Sequence, residues 1–261
     1  MMVSIITPTL NSAKYLRETL LSIKAQGVEY NIEHIVVDGG SLDETKAIVE
    51  SEGISKFYTL KGSSMYEAID FGFKKSSGDI LCWVNSDDLY VPDTIKIVVN
   101  YFTSYDTVKI IAGNTIYIDS YGNEMYRYRY PPIPLTLLKN FNTLYLCQPS
   151  IFWKREVYFG VGGLNLSYKI VADRDFILRA AEIYGIQYID FILSKFRLHS
   201  ENLSKNSTAT VKKEISLMNK ELKIGSTTLF RRILSMAGHL YVKLYNYEMI
   251  LWKLFSVRKK V

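Results

Sequence analysis

The run Ile80-Leu-Cys-Trp-Val-Asn-Ser-Asp-Asp88 constrains this chain more than any other stretch. Consecutive apolar residues without polar alternation fit a strand buried on both faces, the kind found at the centre of a parallel sheet between layers of helix. The run then closes on two adjacent carboxylates, Asp87 and Asp88. In an open α/β sheet ligands gather beyond the carboxyl ends of the parallel strands, so both acids stand where a ligand is expected. Neighbouring carboxylates repel and are costly to desolvate, which a cation or ligand hydroxyls would offset. The competing account is a solvated Asp-Asp turn, with Asp88 or Asp93 capping the helix that Pro92 begins.

The first hundred residues repeat this theme. Apolar runs at 3–6, 34–37 and 56–60 read as strands, and Thr7-Pro8-Thr9 reads as the loop that ends the first. Helical spacing at 12–26 stops at Gly27, and helical spacing at 65–76 stops at Ser76-Ser77-Gly78. After Asp38-Gly39-Gly40, Ser41 and Glu44 have the spacing of a capping box for a further helix. Strands alternating with helices at this interval imply βαβ units, hence an α/β, Rossmann-like, mostly parallel sheet flanked by helices.

The pattern changes beyond about residue 105. Residues 108–117 and 125–130 look extended around a turn at Tyr121-Gly122-Asn123, and Pro131-Pro132-Ile133-Pro134 interrupts any regular element. A strand at 148–153, a turn at Gly162-Gly163, a helix at 173–184 and a strand at 187–197 follow. This half is expected to shape a second substrate site, and there is no repeat of solenoid length.

At 261 residues with 48% apolar content the chain can bury a large core, alone or with an appendage. Its net charge of +6 points to an anionic partner without choosing one. Cys82 and Cys147 have neither disulfide-framework nor zinc-site spacing, which suits a reducing cytoplasm. The amino terminus has too short an apolar run for a signal peptide or a membrane span. Near the other end, apolar residues recur at helical spacing over 227–255 with Arg231, Arg232, Lys243 and Lys253 interleaved and Arg258-Lys259-Lys260 following. A basic amphipathic helix of this kind suits an anionic membrane surface through 227–261. Packing on the rest of the chain or on a second copy accounts for the same stripe equally well.

Taken together, Ser4-Ile-Ile-Thr-Pro-Thr-Leu-Asn11, Ile35-Val-Val-Asp-Gly-Gly-Ser-Leu-Asp-Glu-Thr45 and Gly78-Asp-Ile-Leu-Cys-Trp-Val-Asn-Ser-Asp-Asp88 resemble the inverting, nucleotide-sugar-dependent family 2 glycosyltransferases of the GT-A fold. The resemblance covers roughly residues 3–200. It implies a GT-A domain over 1–200, divided into a nucleotide-sugar half (1–105) and an acceptor half (106–200), with a C-terminal helical extension over 201–261. It also implies a nucleotide-diphosphate sugar donor, a glycan or glycolipid acceptor, and Mn²⁺ or Mg²⁺ as cofactor. Carried over by position, Pro8, Thr9, Asn11, Asp38, Gly39, Asn85 and Asp87 would hold the nucleotide sugar, and Asp88 would bind the metal. His199, in Phe196-Arg-Leu-His-Ser, would either ligate the cation as a neutral imidazole or stabilise the leaving group when protonated; an ordinary surface histidine is the alternative.

The leaving diphosphate needs its negative charge neutralised, which a divalent cation does as a Lewis acid. The acceptor hydroxyl needs a carboxylate to take its proton as it attacks. In Tyr168-Lys-Ile-Val-Ala-Asp-Arg-Asp-Phe-Ile-Leu-Arg179, which resembles the family's base motif, Asp173 is the matching position, and Asp175, two residues on, is assigned to capping the helix before base catalysis. One departure from the family is Asp70-Phe71-Gly72, where relatives often show Asn-Lys-Gly. Trp153, Tyr128 and Tyr130 are assigned to the core rather than to sugar stacking.

The first strand is followed by Thr7-Pro8-Thr9 instead of the Gly-rich turn of a dehydrogenase, and no Gly-Lys-Ser/Thr loop of a nucleotide triphosphatase is present. A nucleic-acid partner is not expected, since the basic residues gather at the carboxyl terminus without a recognition motif. The remaining alternative is a non-catalytic sugar-nucleotide-binding or scaffold protein of a polysaccharide assembly system. The expected location is the cytoplasm, peripheral on the inner face of the membrane if the basic helix engages lipid.

Overall fold

The structure is a computed structural model that describes residues 1–27, 29–54, 56–130, 134, 139, 146–202, 208–222 and 229–257, with 208, 229–235 and 253–257 described by backbone alone. The amino-terminal half runs β1 (Val3–Thr9), α1 (Ala13–Lys24), β2 (Ile32–Asp38), α2 (Thr45–Ser51), β3 (Lys56–Thr59), α3 (Met65–Lys75), β4 (Ile80–Trp83), β5 (Leu89–Tyr90) and α4 (Thr94–Ser104). The second half adds β6 (Ile110–Ile118), β7 (Glu124–Tyr128), a 3₁₀ turn (Gln148–Ser150), β8 (Ile151–Lys154), α5 (Arg155–Gly160), α6 (Ala172–Tyr184) and β9 (Gln187–Arg197). Three further helices follow, α7 (Thr208–Glu221), α8 (Leu229–Tyr245) and α9 (Tyr247–Val257).

The strands join in the order β3-β2-β1-β4-β8-β6-β9-β5, with β7 also on β6. The β3-β2-β1-β4 half is wholly parallel, whereas β8 is antiparallel to both β4 and β6. Alternation along each strand feeds two faces. On β4, Ile80 and Cys82 meet Ile95, Val98 and Phe102 of α4, while Leu81 and Trp83 join the opposite cluster with Phe73 and Trp153. The Trp83 and Trp153 rings lie 5.5 Å apart, and Trp153 is buried as core, as expected.

β1 is longer than its sequence suggests. Thr7-Pro8-Thr9 continues the strand because β2 pairs with it as far as Thr9↔Asp38, whereas pairing with β4 stops at Ile6↔Trp83. Pro8, which has no N–H to give, therefore sits where one edge of β1 is open. The separation of the β1 and β4 tips is also where strand order reverses, since the chain steps from β1 outward to β2 and β3 and then returns to β4. This is the crevice at which open α/β sheets bind ligands.

Local expectations fail where side chains find better partners. Ser41 and Glu44 form no capping box, because the Ser41 hydroxyl donates to Asp38 Oδ1 at 2.5 Å and α2 begins only at Thr45. A capping box does form at α3, between Ser64 and Glu67. Neither Asp88 nor Asp93 caps α4: Asp93 is left-handed (φ 63°) with no side-chain cap bond, and Asp88 is engaged elsewhere. The 148–153 segment starts as a 3₁₀ turn rather than as strand, with Pro149 inside it. Gly162 and Gly163 form the expected turn, both at positive φ (79° and 72°).

The buried edge of the parallel half is pinned by Glu33. Its carboxylate accepts from Ser4 and Lys56 and from the Ser77 N–H at 2.8 Å and hydroxyl at 2.7 Å, joining β1, β2, β3 and the turn after α3. Burial alone would raise this carboxyl, but these donors outweigh it and bring it to about 2, so it is ionised at neutral pH.

The single stripe expected over 227–255 is two helices. The break falls at Asn246, because the Asn246 amide pairs with the backbone of residue 129, accepting from its N–H at 2.7 Å and donating to its carbonyl at 2.9 Å. The helix α7 falls within the helical extension expected over 201–261, where no separate helix is delimited before residue 227. Ile215 and Met218 of α7 and Val242 of α8 join the same apolar cluster as Trp83 and Trp153. Residues 131–133 of the proline-rich interruption and the Arg258-Lys259-Lys260 tail lie outside the described residues, as do the side chains of Arg231, Arg232 and Lys253.

Candidate active site

A cleft of about 1080 Å³ opens between the β1 and β4 tips and the second half of the chain. Of the residues expected to bind, Pro8, Thr9, Asn11, Gly39, Asn85, Asp87, Asp173 and His199 line it. Asp38 and Asp88 do not, and each has a local reason.

Asp38 ends β2 and is only 3% exposed. Its Oδ2 accepts the N–H groups of Gly40 (3.0 Å) and Ser41 (2.9 Å), and its Oδ1 accepts from Thr9 Oγ1 (3.1 Å) and Ser41. Both oxygens are thus used to build the loop that presents Gly39 to the cleft. Asp88 is 1% exposed. Its Oδ1 accepts the Arg197 N–H at 3.0 Å and its carbonyl accepts from Thr19 Oγ1 at 2.8 Å. Burial, reinforced by the neighbouring Asp87, pushes its carboxyl well above the usual carboxylate range.

Asp87 is the acid that faces the cleft. Its Oδ2 lies 2.8 Å from His199 Nε2, bringing the tip of β4 together with the segment after β9. The His199 N–H donates to Asn202 Oδ1 at 2.7 Å, and the imidazole stands 5.1 Å from the Tyr15 ring. Beneath the pair lies Arg197, fully buried and not singled out by sequence. Its Nε donates to the Asp87 carbonyl (3.0 Å), its Nη2 pairs with Glu18 (2.7 Å), and its guanidinium stacks 4.6 Å from the Tyr15 ring centroid. It lies two residues before His199, inside the Phe196-Arg-Leu-His motif. Among the described residues no group of three or more His, Cys, Asp or Glu side chains could hold a metal ion.

Asp173 occupies the other wall, in the first turn of α6. The Tyr66 hydroxyl, from α3, lies 3.1 Å from Asp173 Oδ1 and 2.9 Å from the Ile170 carbonyl. Burial raises the Asp173 carboxyl above the usual range, against the lowering effect of the Arg174 N–H and of Tyr66. Asp175 is no cap: it is buried and takes the Arg179 Nε at 2.9 Å. Asp70 likewise faces inward, accepting from the Tyr158 hydroxyl at 2.7 Å. Gln148 is another residue that sequence does not single out; it lines the cleft while its Nε2 donates to the Trp83 carbonyl at 2.7 Å.

The sequence profile of a family described as Glycosyl transferase family 2 matches residues 4–161. An uncharacterised glycosyltransferase of Rickettsia felis is 32% identical over 78% of this chain, which spans only 35% of that relative's length. An uncharacterised glycosyltransferase of Mycobacterium tuberculosis is 30% identical, with 74% of each chain aligned. Among solved structures, residues 1–349 of S. aureus TarS in complex with UDP-GlcNAc superpose with a TM-score of 0.68 at 19% identity, covering 94% of this chain and 73% of that one. The mannosyltransferase PcManGT from Pyrobaculum calidifontis, in complex with GDP-Man and Mn²⁺, gives 0.63 at 17% identity, covering 97% and 73%.

Proposed function

We propose that this chain, which belongs to glycosyl transferase family 2 and has the GT-A fold, moves a sugar from a nucleoside-diphosphate sugar to a hydroxyl of a glycan or lipid-linked acceptor, with inversion. The observation that carries the proposal is the shared cleft: Pro8, Thr9, Gly39 and Asn85 at the parallel strand tips, the Asp87–His199 pair, and Asp173 on the facing wall. Proteins of similar fold hold UDP-GlcNAc, or GDP-Man with Mn²⁺. The fully engaged oxygens of Asp38 and the burial of Asp88 shift the direct contacts to Gly39 and Asp87.

The donor set at the cleft fits a divalent cation: one carboxylate oxygen and one imidazole nitrogen face the same space, and such ions are commonly held by one or two protein ligands with substrate phosphates completing the shell. Asp87 and His199 would hold it, with Arg197 fixing the Asp87 backbone and Asn202 the His199 backbone. Bound there, Mg²⁺ or Mn²⁺ supplies Lewis-acid neutralisation of the departing diphosphate. Asp173 takes the proton of the attacking hydroxyl; its raised pKa makes it a stronger base than an exposed aspartate. The Tyr66 hydroxyl holds the carboxylate in orientation.

Thermal unfolding with Mn²⁺ and UDP-GlcNAc, GDP-Man and other sugar nucleotides tests the donor. A ligand present at a hundred times its Kd contributes about 2.7 kcal/mol to the folded state, so the matching donor raises Tm by several degrees. A panel in which no sugar nucleotide moves Tm would defeat the proposal.

A second element of the proposal is attachment to an anionic membrane surface through α8 and α9. No helix among the described residues is long and apolar enough to cross a membrane. One face of the pair docks on β7 through Trp252, with Asn246 between the helices bonded to residue 129 just after that strand, while Met236, Leu240, Leu244, Tyr247 and Leu251 point outward, Leu244 at 63% exposure. Changing Leu240 and Leu244 together to Glu should abolish co-sedimentation with phosphatidylglycerol vesicles. Unchanged sedimentation, or a loss of oligomer mass without any vesicle binding by the parent chain, would replace lipid by a second copy as the partner of this face.

A further inference from the structure

The segment that leads into Asp173 is held by a helix far along the chain. Glu214 of α7 is 8% exposed, and its carboxylate receives three successive backbone N–H groups: Lys169 to Oε1 at 2.9 Å, and Ile170 and Val171 to Oε2 at 3.0 and 3.3 Å. About two helical turns further on, Glu221 Oε2 accepts the hydroxyl of buried Tyr168 at 2.6 Å. Ile215 and Met218, between these acids, are buried in the core that also holds Tyr168, Val171 and Phe176. The carbonyl side of the same segment is held by Tyr66, which reaches Ile170 O and Asp173 together.

Three consecutive N–H groups aimed at one carboxylate form a concave donor set of the kind that binds anions, and the anion here is supplied by the chain itself. Residues 169–171 immediately precede α6, and their amides are used up by Glu214 instead of by water. Rotation of this segment would carry Ile170 O and the first turn of α6 with it, and so would move Asp173 relative to the cleft. Leu166, Lys169 and Ile170 also line that cleft, so the same clamp shapes the wall on which an acceptor would rest.

We propose that Glu214 is a positioning residue for the transfer reaction: by clamping the amides of 169–171 it sets where Asp173 stands, making α7 a working part of the acceptor side. The proposal rests on the assignment of Asp173 as the base. Glu214→Gln keeps the size of the side chain but replaces one acceptor oxygen by a donor, so at least one of the three N–H groups loses its partner. The groups facing Asp173, namely Tyr66 and Arg174, keep their own atoms in this change, and of the two Tyr66 feels the loss of the Glu214 charge.

The test combines hydrogen exchange with turnover. In Glu214→Gln the amides of 169–171 should exchange faster than in the parent chain. Release of nucleoside diphosphate from whichever sugar nucleotide raises Tm should fall in kcat by roughly ten- to a hundredfold, the scale set by ångström-sized misplacement of a reacting group. Protection of Tm by that donor should be unchanged, since α7 stands behind the Asp173 wall and none of its described residues lines the cleft. If Glu214→Gln does not fold, Glu214→Asp, which keeps both oxygens on a shorter arm, is measured in its place with the same expected signs. Unchanged exchange at 169–171, or faster exchange with unchanged kcat, would overturn the proposal. Asp173→Asn run in parallel separates the two assignments: retained turnover there removes the base, whereas lost turnover there with normal kcat in Glu214→Gln removes only the clamp.

Discussion

Asp173→Asn should bind the donor sugar nucleotide as well as the parent chain yet lose transfer by about a hundredfold or more, the usual contribution of a general base. Asparagine preserves the shape of the side chain and can still accept from Tyr66, so packing at the start of α6 survives while the capacity to take a proton does not. The pH dependence of kcat in the parent chain should carry the same signature. A base works only when ionised, and burial raises the Asp173 carboxyl, so activity should fall on acidification at a higher pH than an ordinary aspartate would give. Near-normal turnover of Asp173→Asn, or an acid limb that persists unchanged in that variant, would move the base elsewhere in the cleft.

The second large effect separates the two adjacent acids. Asp87→Asn should remove the Mn²⁺-dependent part of donor protection, whereas Asp88→Asn should retain it. The partner groups of metal ligands are already worth ten- to a hundredfold in affinity, so loss of a ligand itself should weaken metal-dependent binding by roughly a hundredfold or more, ~2.7 kcal/mol. The contrast follows from orientation alone: Asp87 Oδ2 meets His199 at the cleft surface, while Asp88 turns inward to the Arg197 N–H. Titrating Mn²⁺ against each variant at fixed sugar nucleotide reads this difference directly. Metal dependence lost in Asp88→Asn and kept in Asp87→Asn would return the cation to the more buried acid.

Much of this arrangement is legible in the chain. The apolar run before Asp87 identifies a central strand, the three strand exits identify the cleft-lining loops, and Asp173 stands in a motif at a helix start. What sequence reasoning misses are groups with no local signature. Arg197, Tyr66 and Gln148 are an ordinary cation, aromatic and amide by composition, and they become informative only when α3, β4 and β9 approach one another. Helix α7 is inconspicuous because its polar face reads as solvent-facing, although Glu214 on that helix is satisfied by backbone amides of the segment before α6.

Period and propensity therefore determined the strand-and-helix alternation and the exits at which chemistry is placed, because burial imposes a repeat of two on strands and of about 3.6 on helices whatever the distant contacts are. Which oxygen of which acid meets the cleft was decided by tertiary structure alone. Asp38 and Asp88 were drawn inward by donors 2.8–3.1 Å away on other segments, and a carboxylate in a low-dielectric interior takes the partners that satisfy it, which local sequence does not specify.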